Sequence, residues 1–229
     1  MYRTHFKRLC DVICALGALI CFWWLFAIVA ILVRIKLGSP VLFTQQRPGK
    51  DEKIFKLYKF RTMTDEKDKE GKLLPDDVRL TQFGKFLRST SLDELPEVFN
   101  ILKGEMSIVG PRPQLVRDMV FMSTEHRRRH MVRPGLTGLA QINGRNDIDW
   151  QDKLDWDLKY IEHITFWGDA KIIAQKFIKS FIKPEGITEQ NSVTATDYGD
   201  YLLQHGLVTQ SEYQINQQTA KQLLTENHI

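Results

Sequence analysis

Apolar and polar positions are spread very unevenly along this 229-residue chain. From Val12 to Val33 there are 22 consecutive residues without a formal charge. About 20 such residues make a helix long enough to cross the hydrocarbon core of a bilayer. A helix apolar on every face rarely fits inside a domain this small, so the run predicts membrane association. A cleaved signal peptide fits less well, because the run is long and no A-x-A site follows it. Arg3, Lys7 and Arg8 precede the run, and Arg34, Lys36, Arg47 and Lys50 follow it. Basic flanks mark the cytoplasmic side, so equal flanks suggest a segment that dips into one leaflet and returns. A returning helix needs a break, usually at Pro. Here only Gly17 and the Trp23-Trp24 pair interrupt the pattern, which leaves a single crossing open. Cys10, Cys14 and Cys21 fall roughly on one helical face and read as small packing residues.

After Gly38-Ser39-Pro40 the pattern becomes that of a soluble domain. Val41–Gln46 and Ile54–Phe60 are rich in β-branched and aromatic residues and predict two short strands around Arg47-Pro48-Gly49-Lys50. Thr64–Asp77 is a charged loop. Phe83, Phe86 and Leu87 recur at helical spacing, and a second helix is expected from near Ser91 to Gly104. Met106–Gly110 is a short apolar run. Leu115–Met131 predicts a helix, Leu136–Arg145 an irregular Gly-rich stretch, and Trp150–His163 and Asp169–Lys183 two more helices. The expected fold is α+β: an N-terminal membrane helix, then a compact, mostly helical domain with a small β-sheet or hairpin, without alternating βαβ units. The divisions are 1–38 for the membrane helix, 39–184 for the catalytic domain and 185–229 for a C-terminal extension. In that extension, residues 185–197 read as a linker. Tyr198–His205 and Thr209–Leu224 read as two short helices, the second opened by a Thr209/Glu212 capping box. Such a pair resembles small self-association modules, which would make the chain a homo-oligomer; a frayed tail is the alternative.

Composition changes little: 43% hydrophobic and 26% charged residues exclude wholesale disorder. A net charge of +4 is too small to argue for nucleic acid, but it suits an anionic ligand or membrane surface. No Cys/His spacing for zinc occurs. The chemistry concentrates around Ser91-Leu92-Asp93-Glu94-Leu95-Pro96-Glu97. Taken alone, S-x-x-E is a capping box. With Ser91 as N-cap, however, Pro96 falls where its missing N–H costs a hydrogen bond. Starting the helix at Leu92 or Asp93 moves Pro96 into the first turn and puts Asp93 and Glu94 at the helix mouth, an anion-binding position. Cations lie along the chain on both sides: Lys59, Arg61, Arg88, Arg112 between two prolines, Arg133 and Arg145. Adjacent carboxylates with several arginines suit metal-assisted phosphoryl transfer. Singly, each of these cations reads equally as a solvated charge.

The run Phe83–Pro96, continuing Phe99–Pro113, resembles the core of the bacterial sugar transferases, the monotopic phosphoglycosyl transferases. Phe43–Gly49, Tyr58–Met63 and Val132–Arg145 agree, so the similarity runs from about residue 3 to 183. The resemblance implies transfer of a sugar-1-phosphate from a UDP-sugar to polyprenyl (undecaprenyl) phosphate, with release of UMP. Asp93 matches the nucleophile that carries the phosphosugar, and Glu94 its partner. Mg²⁺ is implied near Asp93 and the diphosphate. Lys59, Arg88, Arg112 and Asp169 match active-site positions, and Arg145 a nucleotide contact. A broken membrane helix with both ends cytoplasmic is implied, at the bacterial inner membrane with the catalytic domain on the cytoplasmic face. Trp23-Trp24 stands where members usually carry Ser-Pro. Analogy with the smallest members suggests an N-acetylated hexosamine donor, although nothing in the residues identifies the sugar.

Two further surfaces follow from patterning. Ile173, Phe177 and Phe181 share a face of the Trp167–Lys183 helix, with Lys171, Lys176, Lys179 and Lys183 elsewhere. This reads as a basic amphipathic helix on anionic lipid, or as a core helix with solvated lysines. The His126–His130 cluster reads as lipid-facing or as a solvated face. The competing functions are a membrane-anchored, Mg-dependent nucleotide-sugar phosphohydrolase and a tethered binding module without turnover.

Overall fold

The computed structural model describes residues 2–144, 149–182 and 196–226. After a π-helical turn at Tyr2–Phe6, helix α1 (Lys7–Leu37) runs without interruption for 31 residues, or roughly 46 Å at 1.5 Å per residue. The break that the resemblance implies is absent from its turns. The physical reason is local: no Pro lies in the segment, and a lone Gly17 does not end a helix. Both halves of α1 pack on the same domain. Asp11 Oδ1 accepts the Ile108 N–H (3.0 Å), and Ala15 joins Phe55, Leu57, Val98, Ile101 and Met106. At the other end, Val29, Val33 and Leu37 pack with Phe60 and Leu87. The opposite face stays exposed, with Ile20 at 74% and Trp23 at 67%.

Strands β1 (Leu42–Pro48) and β2 (Ile54–Phe60) pair antiparallel, Leu42 opposite Phe60 and Pro48 opposite Ile54. Arg47 and Pro48 therefore belong to the strand, and the reversal uses residues 49–53, with Asp51 and Glu52 left-handed. The charged loop then leads through a single turn, α2 (Asp76–Arg79), to α3 (Gln82–Ser89). A Cβ on Gly84 would lie 1.9 Å from the Thr62 carbonyl oxygen, so only glycine lets α3 approach the end of β2 this closely. Helix α4 (Glu97–Lys103) starts later than expected. Ser91 is left-handed (φ 57°) and its side chain caps nothing. Leu92–Glu94 form a 3-10 turn, and Pro96, lacking an N–H, takes the N-cap position, where no donor is required.

Strand β3 (Ser107–Val109) pairs in parallel with β4 (Gly135–Thr137), which corrects the irregular reading of that stretch. Three-residue strands are too short to leave a periodic signal. A Cβ on Gly135 would lie 2.1 Å from the Gly110 nitrogen, so this pairing depends on glycine. The crossover is two short helices, α5 (Val116–Met119) and α6 (Thr124–Arg127), rather than the single helix expected over 115–131. Ser123 restarts the chain by accepting the His126 N–H (3.2 Å).

Next come α7 (Leu139–Asn143), α8 (Trp150–Glu162) and α9 (Phe166–Ile182). Helices α10 (Tyr198–Gln204) and α11 (Gln210–Glu226) follow, and most of the expected linker lies outside the described residues. Tyr198 and Leu202 pack on Trp150 and Leu154, and Ala220 on Val116 and Met119. The C-terminal helices are thus docked on the chain's own core. The Thr209/Glu212 capping box is formed, at 2.8 and 3.2 Å.

One surface expectation is corrected and a second is refined. In the His126–His130 cluster Arg128 is exposed and pairs with Glu125 three residues before it. Arg127 holds Glu52 with two donors (2.7 and 2.5 Å), and Arg129 is 2% exposed and paired with Asp157. Helix α9 presents Ile173 and Phe177 outward and buries Ile172. Lys179 turns inward to donate to the Ile142 carbonyl (2.7 Å).

Candidate active site

The tight turn after α3 delivers Asp93 and Glu94 next to each other beneath a set of cations. Lys59 arrives from β2, Arg88 from the last turn of α3, and Arg112 from the Pro111-Arg112-Pro113 loop after β3. That loop is tied down at its backbone: Gly135 N–H donates to the Pro111 carbonyl (2.9 Å) and Arg129 Nη2 to the Arg112 carbonyl (2.6 Å). Three of the anticipated residues, Lys59, Arg88 and Arg112, therefore converge on Asp93 and Glu94 or act on them electrostatically.

The two carboxylates are not equivalent. Glu94 Oε1 accepts from Lys59 Nζ (2.9 Å) and Arg112 Nη2 (3.0 Å). Burial works to raise the Glu94 carboxyl, but Lys59, Arg112 and Lys176 outweigh it and hold the group well below the usual carboxylate range. None of the described hydrogen bonds or ion pairs ends on Asp93, although it is only 8% exposed. Burial, and then the neighbouring Glu94 charge, push the Asp93 carboxyl up to about 6 against the pull of Lys59, Arg88 and Arg112. One carboxylate is locked and the other is unengaged. Arg88 Nε donates to Thr62 Oγ1 (3.0 Å), which aims it from β2's end toward the turn.

A third carboxylate went unnoticed in the sequence. Glu97 opens α4 and lies 3.2 Å from Lys59 Nζ. Burial pushes its carboxyl up to about 7, with Lys59 opposing and Glu94 adding. Glu97, Lys59, Arg112, Gln114 and Arg47 line a small polar cleft. Lys176, read from the sequence as a surface lysine of the amphipathic helix, acts on Glu94 from α9. For Glu97 the available signal was its place four residues after Asp93, at one helical turn. For Arg47 and Lys176 nothing local marked them.

Asp169 lies elsewhere. It accepts from Tyr2 Oη (2.8 Å), Lys7 Nζ (2.5 Å) and Tyr160 Oη (2.9 Å), so it fastens the N-terminal turn to α8 and α9. None of these partners belongs to the Asp93 cluster. Arg61 and Arg133 are also structural, since Arg61 donates to the Ser39 carbonyl (3.0 Å) and Arg133 to the Gly104 carbonyl (2.6 Å). Arg145 lies outside the described residues.

Among the described residues no three His, Cys, Asp or Glu side chains form a cage for a metal ion. Mg²⁺ requires no such cage, since it takes one or two carboxylates and completes its shell with phosphate oxygens and water. Asp93 has the unengaged oxygens for such a role, whereas Glu94 Oε1 is already taken by Lys59 and Arg112.

Comparison with known proteins finds a match over residues 2–183 to the family described as bacterial sugar transferase. The chain is 48% identical over 189 residues to the uncharacterized sugar transferase EpsL of Bacillus subtilis (strain 168), covering 82% of this chain and 93% of that protein. It is 44% identical over 187 residues to the UDP-glucose:undecaprenyl-phosphate glucose-1-phosphate transferase of Klebsiella pneumoniae, covering 77% of this chain but 40% of that protein. A third relative is the UDP-N-acetylgalactosamine-undecaprenyl-phosphate N-acetylgalactosaminephosphotransferase of Aeromonas hydrophila. It is 36% identical over 179 residues, 73% of this chain and 41% of that protein. With the unengaged Asp93 set among Lys59, Arg88 and Arg112, and a match over most of its length, the chain belongs to the bacterial sugar transferase family.

Proposed function

We propose that the protein is a phosphoglycosyl transferase that moves a sugar-1-phosphate from a UDP-sugar to polyprenyl phosphate and releases UMP. The observation that carries this reading is the contrast between Asp93 and Glu94. A nucleophilic carboxylate must not be held in place by cations: Lys59 and Arg112 both hold Glu94 through Oε1, whereas no described hydrogen bond or ion pair ends on Asp93. In the first step an Asp93 oxygen attacks the β-phosphorus of the UDP-sugar. The bond from that phosphorus to the bridging oxygen breaks, and UMP leaves with the electron pair. In the second step a phosphate oxygen of the lipid attacks the same phosphorus, and the bond to Asp93 breaks. Dividing one transfer between two dissimilar partners in this way is the purpose of covalent catalysis. Arg88, Lys59 and Arg112 stabilise charge on the phosphoryl oxygens. Asp93 would hold Mg²⁺, which neutralises diphosphate charge when bound.

Membrane association supports the lipid acceptor. The outer face of α1 is apolar, and both of its ends pack on one domain. A helix fastened this way favours lying along or dipping into one face of a bilayer over crossing it. Arg3, Lys7 and Arg8 at one end and Arg34 and Lys36 at the other support the reading that both ends lie on the cytoplasmic side of the inner membrane, where UDP-sugars are available.

The function is tested by incubating the protein, Mg²⁺ and a panel of UDP-sugars with and without polyprenyl phosphate. UMP release that requires the lipid is the expected outcome, and the panel identifies the donor sugar. Steady UMP release that ignores the lipid would assign a phosphohydrolase instead.

The pH dependence follows from Asp93. Only its ionised form attacks, and its pKa is pushed up to about 6. The expected result is that kcat/KM rises with pH through about 6 and then levels, measured from about pH 5 to about pH 8. A flat profile across that range would remove Asp93 from the role.

A further inference from the structure

Most cations around the cleft are neutralised by a carboxylate. Lys59 lies on Glu94 and Glu97, Arg112 on Glu94, and Arg129 on Asp157. Arg47 differs. Among the described residues it forms no ion pair. Its Nη2 donates to the side-chain oxygen of Gln45 (2.7 Å), and its Nε is buried without an acceptor. Burial, then the nearby Arg112 charge, draw its pKa down to about 10 against the pull of Asp118 and Glu97, so it remains a cation at neutral pH. The side chain is half-buried, and drawing a charge out of water without a partner is unfavourable. A guanidinium with unfilled donor positions, beside a second arginine and open to a cleft, is the arrangement that a bidentate anion completes.

We propose that Arg47, with Arg112 and the Gln114 amide, forms a phosphate subsite in this cleft, distinct from the Asp93 carboxylate. Its ligand is a phosphomonoester dianion. The identity of that ligand rests on the proposed function, which brings two such groups to the site besides the phosphoryl group being transferred. One is the phosphate of the departing nucleoside monophosphate, and the other is the phosphate of the lipid acceptor. Either would take the position that β1 and the Pro111–Pro113 loop hold open, with Glu97 drawn aside by Lys59 at 3.2 Å.

The test uses the full chain with Arg47→Gln and Arg47→Lys. Inorganic phosphate and UMP are titrated calorimetrically, and thermal unfolding is followed with and without phosphate. The wild type is expected to bind phosphate and to gain thermal stability from it. In Arg47→Gln, phosphate affinity falls about ten-fold or more, while the unliganded melting temperature stays level or rises because an unpaired cation has gone. Arg47→Lys keeps the charge but not the fork, and shows the same loss with an unchanged melting temperature. Steady-state kinetics then separate the sources. Weaker UMP inhibition and a raised KM for UDP-sugar assign the nucleotide phosphate, and a raised KM for polyprenyl phosphate alone assigns the lipid. Unchanged phosphate affinity in both variants overturns the subsite. A melting temperature that falls in both does so as well, since Arg47 is then merely structural. If the wild type transfers no sugar phosphate, the proposed function fails, while the phosphate titration still reads the subsite.

Discussion

Replacing Asp93 with asparagine is expected to lower kcat/KM for the UDP-sugar by at least about a thousand-fold, since the reaction loses its nucleophile and not merely a binding contact. Asparagine keeps the shape of the side chain but offers no anionic oxygen. The fold should tolerate the change, because no described hydrogen bond or ion pair ends on Asp93. Linkage gives a control with a definite sign. The Asp93 pKa is raised in the folded state to about 6, so the carboxyl favours folding while protonated. That contribution is fully present below its unfolded value and is lost as pH rises through about 6. At neutral pH the neutral asparagine avoids this loss, and the variant should melt at or above the wild-type temperature. A phosphosugar adduct should appear on Asp93 by mass spectrometry when the lipid acceptor is withheld. Retention of transfer by a well-folded Asp93→Asn variant, or an adduct on Glu94, would refute the assignment. Glu94→Gln makes the comparison sharper. It frees Lys59 and Arg112 from their shared anchor while leaving the nucleophile, so lipid-dependent turnover falls without loss of the adduct.

The largest effect on stability is expected at Arg129. Arg129 and Asp157 are each 2% exposed and joined by hydrogen bonds of 3.0 and 2.6 Å. Asp157 Oδ1 has no hydrogen-bond partner, so the pair is only partly satisfied. Burial drives the Asp157 carboxyl up, and Arg129 is the charge that opposes this. Arg129→Met should destabilise the protein by about 3–5 kcal/mol, because it leaves a buried carboxylate without its cation. For a chain of this size that corresponds to a drop in melting temperature on the order of 10 °C. Combining Arg129→Met with Asp157→Leu should recover most of the stability, since removing both charges also removes the cost of burying them. Activity should not recover in parallel. The double variant still lacks the donor that holds the Arg112 carbonyl at 2.6 Å, so the cleft arginine is less well placed. Recovery of both stability and turnover would show that Arg129 has no part in positioning Arg112.

Several elements were legible because their causes are local. The Val12–Val33 run, the Ile54–Phe60 strand, the helix from Trp150 and the Thr209/Glu212 capping box each depend on residues a few positions apart. Pro96 was the right residue to question. Its missing N–H rules out a helix begun at Ser91, although the actual start at Glu97 came later than either option weighed. The apolar face of α9 was identified correctly in Ile173 and Phe177, both of which are exposed. Its lysines were not. Lys179 reaches the Ile142 carbonyl and Lys176 acts on Glu94, because long amphipathic side chains extend toward acceptors that local spacing does not reveal.

The amino-acid sequence by itself determined the membrane-directed helix, the hairpin, the neighbouring Asp93 and Glu94, and the run of motifs that marks the family. Tertiary structure alone decided which carboxylate is free. The two are adjacent and chemically similar, and they are told apart chiefly by Lys59, 35 positions before Glu94, and Arg112, 18 positions after it. It likewise decided that Arg129 is buried while its neighbour Arg128 is not, and that Arg47 faces a cleft with no ion pair among the described residues. Short-range periodicity and capping are set by covalent spacing. The protonation and availability of a charge are set by which distant groups folding brings within a few ångströms of it.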